Sequence, residues 1–307
     1  MQESLAPIVL FVFNRPWHTE QTLLALQANV LASQSKLFVF ADGPKKDATQ
    51  EEIQKVENTR QIVTSKPWCQ EITLIKREEN LGLAKNVIDG VTEIVNRFGK
   101  VIVLEDDLIV GKYFLNFKNK ILEKYLDEQN VFGVSAYCYP FKGKIEDKTY
   151  FLPIACSWSY ATWVDRWKTI NWNSKELIDN IERQDLKEKI NFGGYQFFEM
   201  LVANYKGHNN SWAIRFYANM FLQQKWFVFP NKSLVSNIGF DGTGTHCEND
   251  DFFKTVMVSN DDIDVKQIPI KLEKKIIRSV ERGFEENFKS RKNHHVKDLL
   301  SIFKKYF

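Results

Sequence analysis

Cysteine is scarce: the 307 residues hold four, Cys69, Cys138, Cys156 and Cys247, widely separated and without a CxxC pair. That spacing argues against a structural zinc site or a disulfide scaffold and fits reduced thiols. Glycine and proline are also few, 14 and 8, which excludes collagen-like and low-complexity sequence. The longest uncharged stretch, Thr149–Val164, is 16 residues and contains Ser, Thr and Pro. A bilayer span takes about 20 mostly apolar residues, so no transmembrane helix is expected. The opening Met-Gln-Glu-Ser has no basic segment ahead of an apolar one, which predicts no signal peptide. There is no internal repeat. What remains is a chain 44% hydrophobic and 26% charged, with enough apolar sequence for a large core in one large or two small domains. The net charge of +3 is uneven. Residues 271–307 carry eleven Lys or Arg against five Asp or Glu, a net of +6, and the rest carries 31 against 34, a net of −3.

The first hundred residues alternate between short β-branched runs and amphipathic stretches. Pro7–Phe13, Lys36–Ala41, Glu71–Lys76 and Lys100–Leu104 read as strands, the first of them buried on both faces. Helices are expected over 17–31, 48–64 and 81–98. In the last of these Val87, Val91, Ile94, Val95 and Phe98 share one stripe. The repeated strand–helix pattern predicts an α/β fold, with a mostly parallel sheet flanked by helices. Beyond residue 110 the pattern is less regular. Strands are expected at 131–136, 150–154 and 226–229, and helices near 159–168, 175–190, 195–205 and 212–224.

In parallel sheets ligands bind beyond the carboxyl ends of the strands. Polar residues collect at those ends here: Asn14 and Arg15, Asp42, the loop 80–86, and Glu105-Asp106-Asp107. Adjacent carboxylates after a buried strand offer hard oxygen ligands suited to Mg²⁺ or Mn²⁺. A solvated acidic turn is the plain alternative, and the triplet's position after the fourth strand of a βα series favours the site.

Four segments in order, Val9–Pro16 (VLFVFNRP), Ala41-Asp42-Gly43, Asn80–Asn86 (NLGLAKN) and Leu104–Asp107 (LEDD), resemble the GT-A glycosyltransferases. They are most similar to the branch bearing an EDD motif, which includes the animal N-acetylglucosaminyltransferase acting on N-glycans and bacterial sugar transferases of surface-polysaccharide pathways. The likeness covers 7–110 well and continues more weakly through 158–167 (WSYATWVDRW), 210–215 (NSWAIR) and 240–247 (FDGTGTHC). It implies a GT-A-like domain that uses a nucleotide-diphosphate sugar with Mn²⁺ or Mg²⁺ and transfers the sugar, with inversion, to a glycan or lipid-linked acceptor. By position, Asp107 would be the direct metal ligand, and Glu105 and Asp106 would contact ribose and donor sugar. Arg15 and Asp42 would hold base and ribose, and Lys85 and Asn86 would face phosphate or ribose at a helix start. His246, in a glycine-rich loop, would close over diphosphate or metal, and Trp158 would stack on a sugar. Each has a plainer role open to it: Asp42 as a turn former, Lys85 as a solvated first-turn lysine, and the aromatic run from Trp158 to Trp172 as core.

The resemblance breaks at the catalytic base. The relative has an acid just before a tryptophan, where this chain has Ser211-Trp212, and serine is a poor general base. Asp241 is the first substitute, with Glu199 and His208 behind it. The implied organisation is a nucleotide-sugar half (1–110), an acceptor half of the same domain (111–255) and a basic amphipathic extension (256–307). In that extension Ile276, Ile277, Val280, Phe284 and Phe288 form one stripe, and Leu299, Ile302, Phe303 and Tyr306 a second. Such a tail either packs on the body or lies on an anionic membrane. The expected location is therefore cytoplasmic, with the tail as a route to peripheral attachment on the inner membrane face. Nucleic acid is not an expected partner, since the acidic body has no basic groove. Two other functions stay open. A sugar-phosphate nucleotidyltransferase would need a Gly-rich loop after the first strand, which Asn14-Arg15-Pro16-Trp17 does not supply. A non-catalytic sugar-nucleotide-binding scaffold would account for Ser211.

Overall fold

The computed structural model describes residues 4–140, 145, 148–241, 258–266 and 268–287. Its elements run β1 (Ile8–Val12), α1 (Pro16–Gln27), β2 (Lys36–Ala41), α2 (Gln50–Thr64), β3 (Glu71–Lys76), α3 (Leu83–Phe98), β4 (Lys100–Glu105) and β5 (Leu108–Val110). They continue with α4 (Phe114–Lys124), β6 (Val131–Ser135), β7 (Thr149–Leu152), β8 (Tyr160–Trp163), α5 (Val164–Trp167), α6 (Ser174–Arg183), α7 (Phe197–Tyr205), α8 (Trp212–Leu222), β9 (Trp226–Pro230) and β10 (Val235–Asn237).

Local chemistry sets these boundaries. Pro16, with φ fixed and no N–H to satisfy, opens α1. Thr49 and Glu52 form a reciprocal capping box at the start of α2. Gly99, in the left-handed region, ends α3 with its N–H on the Val95 carbonyl. α3 lays Val87, Val91, Ile94 and Val95 against the sheet. Its Gly90 allows the Phe11 and Phe40 rings to approach where a Cβ would meet both.

Eight strands form one sheet in the order β3-β2-β1-β4-β8-β6-β9-β7. The first four are mutually parallel. β8 lies antiparallel between β4 and β6, β6 and β9 are parallel, and β7 closes the edge antiparallel to β9. This is the expected class, an α/β fold with a mostly parallel sheet flanked by helices. The strand ends of β1–β4 face one edge, as parallel pairing requires. β5 leaves the main sheet and pairs antiparallel with β10, which brings residues 235–241 back beside the end of β4. Among the described residues no helix is long and apolar enough to cross a membrane.

Two features depart from expectation. Residues 160–163 are a strand, not part of a helix: Tyr-Ala-Thr-Trp is buried on both faces between β4 and β6, and burial on both faces erases the alternation that marks a strand. The short strands β5 and β10 and helix α4 were not anticipated. The tail takes one of the two roles open to it. A helix at 274–287 buries Val280 and Phe284 and packs Ile276 and Ile277 on the core. The Phe284 ring lies 5.0 Å from Tyr139, 5.2 Å from Tyr195 and 5.7 Å from Phe192, over Gly193, where a side chain would collide with it. The stripe from Ile276 to Phe284 is thus spent on the body and not on a membrane. Phe288 and the second stripe, Leu299–Tyr306, lie outside the described residues.

Truncating a buried aromatic side chain costs about 3–5 kcal/mol. Phe284→Ala is therefore expected to lower unfolding stability by about that amount in chemical denaturation and to expose 274–287 to limited proteolysis. A value near zero would show that this helix is not part of the folded body.

Candidate active site

β4 ends at Glu105 and β5 starts at Leu108, so Asp106 and Asp107 occupy the tight passage between them, both buried. Thr22 of α1 donates to the Asp106 carbonyl at 2.8 Å. Arg15, just ahead of Pro16, reaches across: its Nη1 lies 3.0 Å from Asp107 Oδ2 and 3.6 Å from Asp106 Oδ1. Pairing of β5 with β10 delivers the next segment onto the same carboxylates. The Ile238 N–H donates to the Asp107 carbonyl at 2.8 Å, and Gly239 seats against the Asp107 carboxylate where any Cβ would collide. Asp241 then sits with Oδ2 2.9 Å from His18 Nε2 and Oδ1 3.9 Å from Arg15 Nη2. The structure therefore brings together Arg15, Glu105, Asp106, Asp107 and Asp241. It adds His18, which was missed. Its position one helical turn after Arg15, at the end of β1, is the signal that could have found it.

Burial, together with the charges of Asp107 and Asp106, pushes the Glu105 carboxyl up to about 8, a rise only partly offset by Arg15 and a hydrogen bond from Trp212. Burial and Asp107 raise Asp106 as well, against Arg15 and the Phe13 N–H. His18 is lowered by burial and by Arg15, while Asp241 opposes both. Three carboxylates share one guanidinium.

Asp107 Oδ1 is buried with no hydrogen-bond partner among the described residues. Among those residues no three His, Cys, Asp or Glu side chains gather in a metal-holding arrangement. A divalent cation fits under that limit: Mg²⁺-like ions are commonly held by one or two carboxylates, with phosphate oxygens and water completing the shell. His246 lies outside the described residues.

Trp158 borders the same edge, T-shaped against Tyr137 at 4.7 Å and against Phe240 at 5.5 Å. The next residue, Ser159, takes φ 52°, a conformation that costs a non-glycine residue energy and is held by its surroundings. The holder is Lys118, fully buried, whose Nζ donates to the carbonyls of Ser159 at 2.9 Å and Val134 at 2.6 Å.

The other expected residues serve different ends. Asp42 is buried, and its carboxylate accepts from the N–H groups of Gly43, Leu81 and Gly82 and from Asn80 Nδ2, at 2.8–3.2 Å. All four acceptor positions of a carboxylate are then in use; Asp42 shapes loop 80–82, and gripping a ribose would mean giving up one of those bonds. Lys85 is exposed and paired with Asp89 at 2.6 Å. Asn86 is buried, accepting from Arg77 Nε and donating to the Phe40 carbonyl, so it does not face a ligand. Glu199 is exposed in the first turn of α7, and among the described residues no contact joins it to the acidic triplet. The same holds for His208, exposed in the turn after α7. Ser211 caps α8, its Oγ accepting from the Ile214 N–H, and the next residue, Trp212, buried, is the one that reaches Glu105.

No family model matches the chain, and no curated protein does. Among solved structures, UDP-glucose pyrophosphorylase complexed with UDP-glucose aligns at 11% identity and a TM-score of 0.37, over 74% of this chain and 90% of that one. An active-site mutant of LgtC aligns at 11% and 0.40, over 70% of each chain. Galactosyltransferase LgtC with donor and acceptor sugar analogs aligns at 9% and 0.37, over 72% of each.

A carboxyl whose folded pKa is raised gives up stability as pH climbs from its unfolded value, 4.5, to its folded value near 8. In protein stripped of divalent cations, Glu105→Gln removes that loss while keeping an acceptor for Trp212. The variant is expected to melt above wild type at pH 8.5 by several degrees, at about 2–4 °C per kcal/mol, and to match it near pH 4.5. Equal melting at pH 8.5 would contradict the electrostatic reading.

Proposed function

We propose that the chain is a metal-dependent glycosyltransferase of the GT-A kind, taking a sugar from a nucleotide-diphosphate donor to a glycan or lipid-linked acceptor of surface-polysaccharide synthesis, with inversion. The observation that carries this is the triplet itself: three carboxylates at the end of a central parallel strand, with Asp107 Oδ1 buried and without a hydrogen-bond partner among the described residues, beside a strand edge where phosphate-bearing ligands dock.

Each residue has a job in that reaction. Asp107 would hold Mn²⁺ or Mg²⁺, which when bound acts as a Lewis acid on the diphosphate leaving group. Arg15, now on Asp107 and Asp106, stands close enough to share its charge with phosphate oxygens. Glu105 and Asp106 would orient ribose and donor-sugar hydroxyls, with Trp212 fixing the Glu105 carboxyl. Trp158, held by the Lys118–Ser159 corner, offers an aromatic face to a sugar. Inversion needs a base on the side opposite the leaving group. Asp241 is the candidate. It lies 2.9 Å from His18 and 3.9 Å from Arg15, and its side chain is 40% exposed, so a hydroxyl can approach it.

A thermal-shift panel of nucleotide sugars with and without Mn²⁺ tests the class. One donor should stabilise wild type only with metal, and Asp107→Asn should abolish that shift. Turnover should release nucleoside diphosphate, whereas pyrophosphate would point to a nucleotidyltransferase and neither product to a scaffold. Asp241→Asn should keep the donor shift and cut transfer by about 10²–10⁴-fold; near-normal turnover removes Asp241 from the mechanism.

A further inference from the structure

Arg77 has no role in the reading above, and its surroundings are unusual for a surface arginine. It follows β3 directly, and its N–H donates to the Ala41 carbonyl at 2.9 Å, which places it at the carboxyl edge where β2 and β3 end. Its backbone carbonyl is gripped by Arg60 Nη2 at 2.7 Å, and the same nitrogen also reaches the Asp42 carbonyl at 3.3 Å. Its guanidinium lies over the Phe40 ring, 5.2 Å from the centroid, and that ring is buried and stacked on Phe11. Its Nε donates to Asn86 Oδ1 at 3.2 Å, and Asn86 is itself 2% exposed and tied to the Phe40 carbonyl.

The inner edge of the guanidinium is therefore fixed by a buried amide and one face by a buried ring. Among the described residues no acid pairs with it, and neither terminal nitrogen has a partner or is buried. What is left outward is a rigid two-pronged donor. Lysine could not reproduce it, because the fork's planarity is what matches a pair of acceptors. Lys85, the cation expected here, is committed to Asp89; Asn86 works through Arg77.

Position narrows the ligand. β3 lies three strands from β4, about 14 Å at the usual inter-strand spacing. A donor whose diphosphate sits at Asp107 reaches that far with its nucleoside. We propose that Arg77 reads the nucleobase of the donor, selecting one that presents two adjacent acceptors (guanine O6 and N7, or cytosine O2 and N3) over adenine. A guanidinium fork meets such a pair with both prongs, while the amino group of adenine sets donor against donor and a pyrimidine-dione sets an N–H beside its carbonyl. This rests on the proposed nucleotide-sugar function and adds the class of base.

The test is calorimetric titration with GDP, CDP, UDP, ADP and inorganic pyrophosphate, in Mn²⁺, on wild type, Arg77→Met and Arg77→Lys. Met keeps the apolar stem over Phe40, and Lys keeps the charge, so at least one variant should fold, as checked by its melting curve. Wild type is expected to bind GDP or CDP at least about tenfold more tightly than ADP, as one bidentate contact supplies. Both variants should lose that preference with ADP and pyrophosphate binding unchanged. Preference retained in Arg77→Met overturns the inference. So does preference retained in Arg77→Lys, which would show a point-charge contact, and so does pyrophosphate binding that falls in step with the nucleotide, which would place Arg77 on phosphate. If wild type binds neither nucleoside diphosphate nor pyrophosphate, the nucleotide-sugar reading itself fails, and the base assignment falls with it.

Discussion

Three consecutive carboxylates at the end of a buried strand are the constraint around which this fold is organised. In water they would repel weakly. Next to the core each loses hydration, so repulsion and desolvation act together, and the Glu105 carboxyl rises to about 8 even though Arg15 and Trp212 both favour its ionised form. Such a cluster persists only where the rest of the structure holds it. Here the holders come from every side: Arg15 at the start of α1, the Thr22 hydroxyl on the Asp106 carbonyl, and the Ile238 N–H on the Asp107 carbonyl.

That requirement explains features that look arbitrary in isolation. β5 and β10 are only three residues each, yet their pairing clamps the chain on both sides of Asp107 and carries Asp241 to His18 and Arg15. Gly239 is needed because the Asp107 carboxylate occupies the space of its side chain. Ser211, an odd residue if the position is asked to be a base, is an ordinary helix cap whose helix sets Trp212 against Glu105.

How far all this could be read from sequence depended on the range of the interaction. Strands β1 to β4 were legible because runs such as IVLFV and KVIVL are continuous and bounded by turns, and helix α3 because its stripe is clean. The acidic triplet was legible because strand and turn chemistry place it locally. Tyr160–Trp163 reads as helix from the sequence because burial on both faces leaves no alternation, and β5 and β10 give no sequence signal because three residues carry no period. The site residues split the same way. Asp42 and Asn86 read from the sequence as ligand-facing, because local sequence does not say whether a polar side chain at a strand end or in a first helical turn points outward or inward. Both point inward, since three N–H groups and an amide consume the Asp42 carboxylate and a guanidinium consumes the Asn86 carbonyl.

The inward turn of those two residues also bears on how specificity is built. Asp42 uses three of its four acceptor positions on residues 80–82 and the fourth on Gly43, and Asn86 uses its oxygen to fix Arg77 on the Phe40 ring. Neither touches a ligand in this arrangement, yet both set what a ligand would meet. A flexible lysine on the same loop would pay rotamer entropy on every binding event. A guanidinium already stacked and hydrogen-bonded has little left to lose, so its remaining donors can discriminate between acceptors instead of only attracting charge. The acidic end differs: Arg15 there is divided among Asp106, Asp107 and Asp241, whereas the Arg77 guanidinium is held at one edge by Asn86 and on one face by the Phe40 ring.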